Sequence, residues 1–250
     1  MNQLNSKEGS FQFRDAVTSL PRKAPQEFAK KQTIYGPGRP CSGLYLVRSG
    51  RVAISNSIDG QAPTITRITG PGGIFGEGSL VGLPNPSESA TVLDQARVIQ
   101  WTPAEIEQHI INDPNLGMAL WRHFVQRCAE LNARVEAMAF YKTPERVMLG
   151  LLQLAETLGM PVNGSMRLAP LTHQIIAEYV GTSREIVTSQ MTELRRAGKL
   201  EYSRKYIDVN VSMIREALRL DGMDSQPASP AIAAATVPVP KSATLRAGAV

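Results

Sequence analysis

The C-terminal half of the chain carries apolar residues at helical spacing in two short segments between residues 171 and 199. Thr172 and Ser183 precede these segments, and both are residue types that cap helix N-termini. Gly181 separates the segments and Gly198 follows the second, at points where the chain can use a positive φ. The pattern predicts a helix-turn-helix. Its predicted buried stripes are Ile175, Ile176, Tyr179 and Val180 in the first helix and Val187, Met191 and Leu194 in the second.

The second predicted helix, from Arg184 to about Ala197, keeps polar and charged side chains on its outer face. In the DNA major groove, arginine can donate two hydrogen bonds to guanine and glutamate can accept one from cytosine. This face therefore predicts binding to double-stranded DNA; an ordinary helical hairpin with a solvated face is the alternative. The predicted DNA-binding residues of the helix-turn-helix are Thr172, Ser183, Arg184, Glu185, Thr188, Ser189, Thr192 and Arg196.

Residues 200–209 alternate in type around a short polar turn, which predicts a β-hairpin. A hairpin directly after a helix-turn-helix makes a winged helix. Arg204 and Lys205 lie at its predicted tip, where cations contact phosphate oxygens and add affinity without reading sequence. The segment 184–205 holds six cations and three acids, a local positive surplus in a chain whose net charge is +5.

The stretch LTHQIIAEYVGTSREIVTSQMTELRRAG resembles the DNA-binding domain of the bacterial CRP/FNR family, named after the cyclic-AMP receptor protein and the fumarate-nitrate regulator. The resemblance implies an α+β fold with an N-terminal cyclic-nucleotide-binding-like β-roll, a long dimerisation helix and a C-terminal winged helix-turn-helix. It also implies a homodimeric transcription regulator with RNA polymerase as a partner. Arg184 and Glu185 match two base readers of TGT-GA-type half-sites, whereas Ser189 replaces a third reader, an arginine. We therefore expect a relaxed preference at the inner base pair of each half-site.

Between residues 33 and 101, short alternating runs are broken by glycine and asparagine turns. Closely spaced strands of this kind predict an antiparallel sandwich or roll. The run GLYLVRSGRVAI within this region resembles the opening of the cyclic-nucleotide-binding β-roll.

Two helix starts follow the predicted roll. Thr102 and Glu105 form a predicted capping box, and Asp113-Pro114 begins a longer helix that ends near Lys142. Apolar residues along the longer helix recur at spacings of 4, 4, 3, 4 and 3, which predicts a coiled-coil seam with a second copy; burial on its own domain is the alternative. The predicted seam is Leu120, Phe124, Cys128, Leu131, Val135 and Met138. A symmetric dimer would hold two recognition helices about 34–36 Å apart, so we expect a palindromic operator.

These elements divide the chain into five predicted segments. They are a flexible N-terminal arm at 1–26, a sensor domain at 27–113, a dimerisation helix at 114–142, a winged-helix DNA-binding domain at 143–220 and a disordered tail at 221–250. The arm could instead be a short helix packed on the sensor domain. A helix at 144–158 should brace the helix-turn-helix, and the Pro/Ala/Ser-rich tail has no usable periodicity.

The segments 72–80 and 87–91 resemble the family's phosphate-binding cassette. In that cassette an arginine neutralises the cyclic phosphate, but Glu88 stands in its place here and would repel the ligand. We therefore expect that the protein does not respond to cyclic AMP in the usual way. The pocket is then ligand-free, or it takes another ligand such as a larger cyclic dinucleotide or a small acid; a classical cyclic-nucleotide-activated regulator is the alternative. The ligand contacts implied by the resemblance are Gly76, Glu77 and Ser89, with Asn132 on the long helix as a further polar residue.

Cysteine and histidine usage narrows the function classes. Cys41 and Cys128 are too few for the four thiolates of an iron–sulfur cluster, which argues against an oxygen sensor. The three histidines lack ligand spacing, and no nucleophile elbow or phosphate-binding loop appears, so we expect neither a metal cofactor nor an enzyme. With no signal peptide or bilayer-spanning apolar run, a cytoplasmic protein without a membrane partner is expected. A sensor module acting through protein contacts is the remaining alternative.

Overall fold

The computed structural model describes residues 20, 23–57, 62–82 and 87–220. The predicted tail at 221–250 and most of the predicted arm at 1–26 lie outside these residues. Within the arm, Leu20 is buried among core residues of the first domain, and the first strand already begins at Gln26. The predicted boundary at residue 27 therefore falls inside a strand.

The first domain of the described chain is a β-roll made of two four-stranded antiparallel sheets. The strand order is β1-β8-β3-β6 in one sheet and β2-β7-β4-β5 in the other. The stacked rings of Tyr45 and Phe75, with the tilted ring of Tyr35 beside them, lie in the core between the sheets. The strands are β1 Gln26–Phe28, β2 Thr33–Tyr35, β3 Leu44–Ser49, β4 Val52–Asn56, β5 Thr64–Thr69, β6 Ile74–Phe75, β7 Glu88–Val92 and β8 Ala96–Trp101.

Two helices connect the roll to the C-terminal domain. Helix α1, Pro103–Asn112, begins with the predicted capping box, in which Thr102 and Glu105 accept each other's backbone N–H groups. Helix α2, Pro114–Phe140, begins at Asp113, whose side chain accepts from the Asn115 N–H at 3.1 Å. It ends two residues before the predicted Lys142, because Lys142 is already the N-cap of the next helix.

The inward face of α2 requires one correction to the predicted dimer seam. Leu120 is 3% exposed and packs with Leu44 and Trp101, and Phe124 packs against the same cluster. A helix with apolar residues on two faces shows the same spacing on both, and only packing decides which face meets its own domain. Leu120 and Phe124 therefore belong to the protein's own core. The other predicted seam residues, Cys128, Leu131, Val135 and Met138, are exposed.

The C-terminal domain is a winged helix, as predicted. Helices α3 Thr143–Leu158, α4 His173–Val180, α5 Arg184–Arg196 and α6 Val211–Leu220 surround a four-stranded sheet of order β11-β12-β10-β9. The strands are β9 Met160–Val162, β10 Ser165–Leu168, β11 Leu200–Tyr202 and β12 Ile207–Val209. The hairpin of β9 and β10 escaped sequence reasoning, although Asn163 and Gly164 at its tip, both with positive φ, are a known hairpin signal.

The winged helix is docked on the outer face of the roll. Ala53, Ile65 and Ile68 from the roll share one apolar cluster with Leu151 and Tyr179 of the winged helix. The burial of this shared apolar surface stabilises the contact. This junction cluster is separate from the two apolar clusters inside the first domain, so it holds the winged helix to the roll without merging their cores.

Arginine side chains bridge the same junction through backbone carbonyl groups. Arg134 of α2 donates to the carbonyl oxygens of Thr66 and Tyr179 at 2.6 and 2.7 Å. Arg51 donates to the carbonyl oxygens of Ala169 and Pro170 at 3.0 and 2.9 Å. Charged donors satisfy these carbonyl groups. They thereby fix the orientation of the winged helix on the roll.

Candidate functional site

Helix α5 is the predicted recognition helix, and it presents an open polar face to solvent, the reading face. Its Ser183 cap accepts from the Ile186 N–H at 3.4 Å, which orders the first turn. Val187, Met191 and Leu194 are buried, so the opposite side of the helix is directed to solvent. The side chains that line an open depression on this face are Arg184, Glu185, Thr188, Ser189, Thr192, Glu193 and Arg196. The predicted outward residues of the second helix are thus brought together.

Helix α4 and the turn hold the recognition helix in place. Thr172 caps α4 by accepting from the Ile175 N–H at 3.2 Å, as predicted. Gly181 ends the helix with φ at 76°, a left-handed conformation that favours glycine. Its N–H and that of Thr182 both donate to the Ala177 carbonyl, so the turn is tight and hydrogen-bonded.

His173 is a residue of this surface that sequence reasoning missed. Its Nδ1 lies 2.9 Å from the Thr188 hydroxyl oxygen, and its ring packs edge-on against Tyr202 of the wing. Burial and the charge of Arg184 lower the pKa of His173. The contact joins α4, α5 and the wing into one surface. No spacing rule in the sequence could have found it, because fifteen residues separate the two partners along the chain.

The wing is a short hairpin with both predicted cations at its tip. Arg204 and Lys205 are exposed, and the Lys205 N–H donates to the Ser203 hydroxyl at 3.1 Å. Behind the tip, the guanidinium of Arg167 donates to both carboxylate oxygens of Asp208 and stacks 4.3 Å from the centre of the Tyr206 ring. The tip is therefore supported by a bidentate ion pair, while its cations remain available to phosphate groups.

The predicted ligand pocket contains an internal ion pair. Arg67 of β5 donates to both carboxylate oxygens of Glu77 at 2.8 and 3.0 Å, and Nε2 of His123 lies 3.5 Å from the same carboxylate. Burial alone would raise the pKa of Glu77, but the contacts from His123 and Arg67 outweigh it and lower this pKa to about 2. The carboxylate that the resemblance assigns to a ligand is therefore bound by the protein itself.

Glu88 and Ser89 also have partners inside the roll. The Tyr35 hydroxyl donates to Glu88 at 2.7 Å, and the hydroxyl groups of Ser55 and Ser89 lie 3.0 Å apart. Burial and the charge of Glu88 both raise the pKa of Tyr35, so the phenol stays protonated as the donor. These residues lie on adjacent strands, since Ser55 pairs with Ser89 in the β4–β7 ladder. A cyclic phosphate would meet a carboxylate here, so the residues present do not fit that group.

Gly76 shapes the start of the pocket segment. It precedes the 3₁₀ helix Glu77–Val81 with φ at 86°, and a Cβ atom there would lie 2.5 Å from the Gly43 carbonyl oxygen. The close approach of the two backbones therefore requires glycine.

Asn132 is not joined to the pocket within one chain. Helix α2 turns His123, Arg127 and Arg134 towards the roll, whereas Asn132 is exposed on the other side of the helix. The structure thus brings Gly76, Glu77, Glu88 and Ser89 into the roll and separates Asn132 from them.

The described residues contain neither a metal-binding cluster nor a membrane-spanning helix. Among the described residues, no group of three or more histidine, cysteine or acidic side chains could hold a metal ion. No helix in the described ranges is long and apolar enough to cross a membrane. Of the two thiols, Cys41 is half-buried and Cys128 is exposed.

Comparisons with known proteins agree with this architecture. Residues 25–113 match the cyclic nucleotide-binding domain family and residues 145–213 match the Crp-like helix-turn-helix domain family. A CRP-like cAMP-activated global transcriptional regulator from Mycobacterium tuberculosis is 27% identical over 216 residues, which cover 85% of this chain and 96% of the relative. The transcriptional regulator SdrP from Thermus thermophilus is 33% identical over 164 residues, which cover 65% of this chain and 76% of the relative.

Solved structures show the same fold. FixK2 from Bradyrhizobium japonicum aligns with a TM-score of 0.67 at 23% identity, covering 78% of this chain and 97% of that one. A CRP/FNR-family transcriptional regulator from Thermus thermophilus aligns with a TM-score of 0.62 at 26% identity, covering 78% and 98%. The predicted α+β fold, with a roll followed by a winged helix-turn-helix, is confirmed. With its two matched domains and this reading helix, the chain belongs to the CRP/FNR family of DNA-binding transcription regulators.

Proposed function

We propose that the protein is a homodimer that binds a palindromic operator through α5 and does so without cyclic AMP. The observation that carries the DNA-binding part is the exposed face of α5, on which Arg184 and Glu185 stand at the N-terminal end. In helix-turn-helix proteins this end of the recognition helix contacts the base edges. RNA polymerase as a partner belongs to the same proposal and rests on the family alone.

The first two side chains of α5 have the chemistry of base readers. Hydrogen bonds from its own backbone N–H and from the Ser183 hydroxyl lower the pKa of Glu185, so its carboxylate stays ionised. An ionised carboxylate can accept from cytosine, and the guanidinium of Arg184 can donate two bonds to guanine. Ser189 has only a hydroxyl in place of a bidentate donor, which supports a relaxed inner base pair.

Substitutions on α5 and on the wing distinguish sequence-specific base contacts from sequence-independent affinity for DNA. Arg184→Ala is expected to weaken operator binding by roughly 1–3 kcal/mol and to blur the base preference, because a bidentate base contact is lost. Lys205→Ala is expected to weaken all sequences alike and to reduce the salt dependence, because a phosphate contact is lost. Fluorescence anisotropy with cognate and random duplexes across a salt series measures both quantities.

The two variants control each other, because each removes one exposed cation from the same domain. Equal losses on cognate and random duplexes for both variants would contradict the division of roles.

An exposed heptad series on α2 supports the proposed homodimer. Its members are Met118, Trp121, Val125, Cys128, Asn132 and Val135, at alternating spacings of three and four residues. Such a series matches the contact positions of a parallel two-stranded coiled coil. Asn132 occupies the position type at which a single polar residue fixes register and strand number. We assign Asn132 to this seam, facing its counterpart in the second copy.

The internal contacts of the pocket support a response that is independent of cyclic AMP. Arg67 already donates to both oxygens of the Glu77 carboxylate, and Glu88 replaces the arginine that would bind the phosphate. A cyclic nucleotide would have to break the first contact and overcome the repulsion of the second. The mycobacterial relative is named a cAMP-activated regulator, and an identity of 27% does not by itself transfer that property to this chain.

Calorimetry of the full chain with cyclic AMP is expected to detect no micromolar binding, because the pocket offers a carboxylate to the phosphate. The anisotropy titration of a palindromic duplex with TGT-GA-type half-sites is expected to give the same affinity with and without the nucleotide. Micromolar binding, or DNA binding that appears only with cyclic AMP, would contradict the proposal and support a classical cyclic-nucleotide-activated regulator.

A further inference from the structure

One threonine of the reading face has a hydroxyl group that is already used inside the protein. The Thr188 hydroxyl donates to the Arg184 carbonyl oxygen at 2.8 Å, and it lies 2.9 Å from Nδ1 of His173. A carbonyl oxygen can only accept, so the single hydrogen of the hydroxyl is committed to Arg184. Both contacts are hydrogen bonds only when Nδ1 of His173 carries a hydrogen and donates to the threonine oxygen.

The donating histidine is held from a second side. Its ring packs edge-on against Tyr202 at 5.7 Å between centroids, and the guanidinium of Arg195 lies 5.0 Å from the centre of the Tyr202 ring. The positive charge of Arg184, on α5, disfavours protonation of the His173 imidazole to the cation. His173 is thus fixed between α5 and the wing. The Thr188 hydroxyl has one donated and one accepted bond within the protein.

This arrangement decides what Thr188 can offer to DNA. The residue is exposed and lines the depression beside Arg184 and Ser189, but its hydroxyl has no hydrogen to donate to a base. Its oxygen keeps one lone pair, which can only accept, and the methyl group is its apolar contact. Thymine carries the C5-methyl group that threonine methyl groups contact in the major groove. We propose that Thr188 reads a thymine through methyl–methyl contact, an assignment that rests on the proposed docking of α5 in the major groove.

Two neighbours on the same face show the contrast. Thr192 also donates its hydroxyl within the helix, to the Thr188 carbonyl oxygen at 2.9 Å. The Ser189 hydroxyl makes no hydrogen bond within the part of the chain that the structure describes, so it can donate to or accept from a base. Ser189 can therefore donate to or accept from different bases, whereas Thr188 cannot donate to any base.

The test begins with the full-length protein selecting half-sites from a library of symmetric duplexes at one fixed salt concentration. Each selected thymine is then replaced in turn by deoxyuridine, which removes only the C5-methyl group. One position per half-site is expected to lose about fourfold in affinity, the value of one buried methyl-sized group. A selected half-site whose thymines all tolerate deoxyuridine overturns the assignment.

Two substitutions at the same position separate the methyl group from the hydroxyl. Thr188→Val keeps the methyl and removes the hydroxyl, and it is expected to retain the thymine-to-deoxyuridine ratio of about four. Thr188→Ser keeps the hydroxyl and removes the methyl, and it is expected to bring this ratio close to one. The reverse result, with the ratio lost in the valine variant and kept in the serine variant, overturns the proposal.

The ratio compares two duplexes with one protein, so a general loss of stability in a variant does not change it. A selection that enriches no half-site would contradict the DNA-reading role of α5 itself. An enriched half-site that lacks thymine sensitivity would contradict the Thr188 assignment alone.

Discussion

Replacing Glu77 with glutamine is expected to lower the free energy of unfolding by about 3–5 kcal/mol at neutral pH. The substitution leaves the guanidinium of Arg67 without its charged partner. The Arg67 and Glu77 side chains are only 14% and 22% exposed, so water cannot replace the lost contact well. Urea unfolding of the full chain measures the difference.

The same substitution should change how stability depends on pH. The pKa of Glu77 is about 2 in the folded protein against an ordinary value of 4.5. A carboxyl group with a depressed pKa stabilises the fold above its ordinary value, and that contribution disappears as the pH falls towards the folded value. The difference between wild type and Glu77→Gln is therefore expected to be full above about pH 5 and to shrink towards pH 2.

Glu105 provides a matched control. Its pKa is also lowered to about 2, by Lys23 and by the backbone of Thr102, but its side chain is 38% exposed. Solvent screens such a pair, so Glu105→Gln is expected to cost only about 1 kcal/mol. Equal losses for the two variants would mean that the Arg67–Glu77 pair is as well solvated as the surface pair.

The internal pair also limits what an effector could be. A ligand that reaches Glu77 competes with two hydrogen bonds from Arg67 and with the nearby imidazole of His123. A neutral hydroxyl group offers a weaker bond than a guanidinium does. An anionic ligand would instead have to draw Arg67 away from Glu77. This competition supports the proposed binding of DNA without cyclic AMP.

Sequence reasoning succeeded where the signal is local. Thr172, Ser183 and Gly181 fix the helix-turn-helix within a few residues, because caps and positive-φ turns depend on the chain near them. The outward face of α5 follows from the same helical period. The Asn163-Gly164 hairpin was also readable in this way, but the short strands around it have little pattern of their own.

Sequence reasoning failed where distant segments meet. Arg67 lies ten residues before Glu77 and fifty-six before His123, and nothing in the spacing links the three. The resemblance to the family's phosphate-binding cassette points to Glu88 instead, because that position departs from the family pattern. Arg51 and Arg134 bind backbone carbonyl groups across the domain junction, and such acceptors leave no trace in residue types.

The apolar faces of α2 show both the success of a local signal and the failure at a long-range contact. Periodicity correctly predicted a long helix with apolar faces, but Leu120 and Phe124 turned out to serve the roll. The exposed series passes through Met118, Trp121 and Val125 instead. A single chain leaves these side chains largely in water, which is costly unless a partner covers them.

Introducing a charge at Val125 is expected to dissociate the proposed dimer and to weaken operator binding by roughly 10²–10⁴-fold, because the two half-sites are then no longer bound by linked domains. Val125 is 53% exposed in the single chain, so Val125→Glu should leave the folded protomer intact. Sedimentation velocity and anisotropy on full and half operators measure assembly and binding separately.

Ala133 gives the matched control, because it is exposed on the same helix one position beyond Asn132 and off the heptad series. Ala133→Glu adds the same carboxylate but should leave both the dimer and the affinity for the full operator unchanged. If Val125→Glu remained dimeric, the exposed series would not be the interface. If it became monomeric yet bound the full operator as tightly as before, the paired recognition of a palindrome would be wrong, since linkage between two reading helices is the source of the expected affinity.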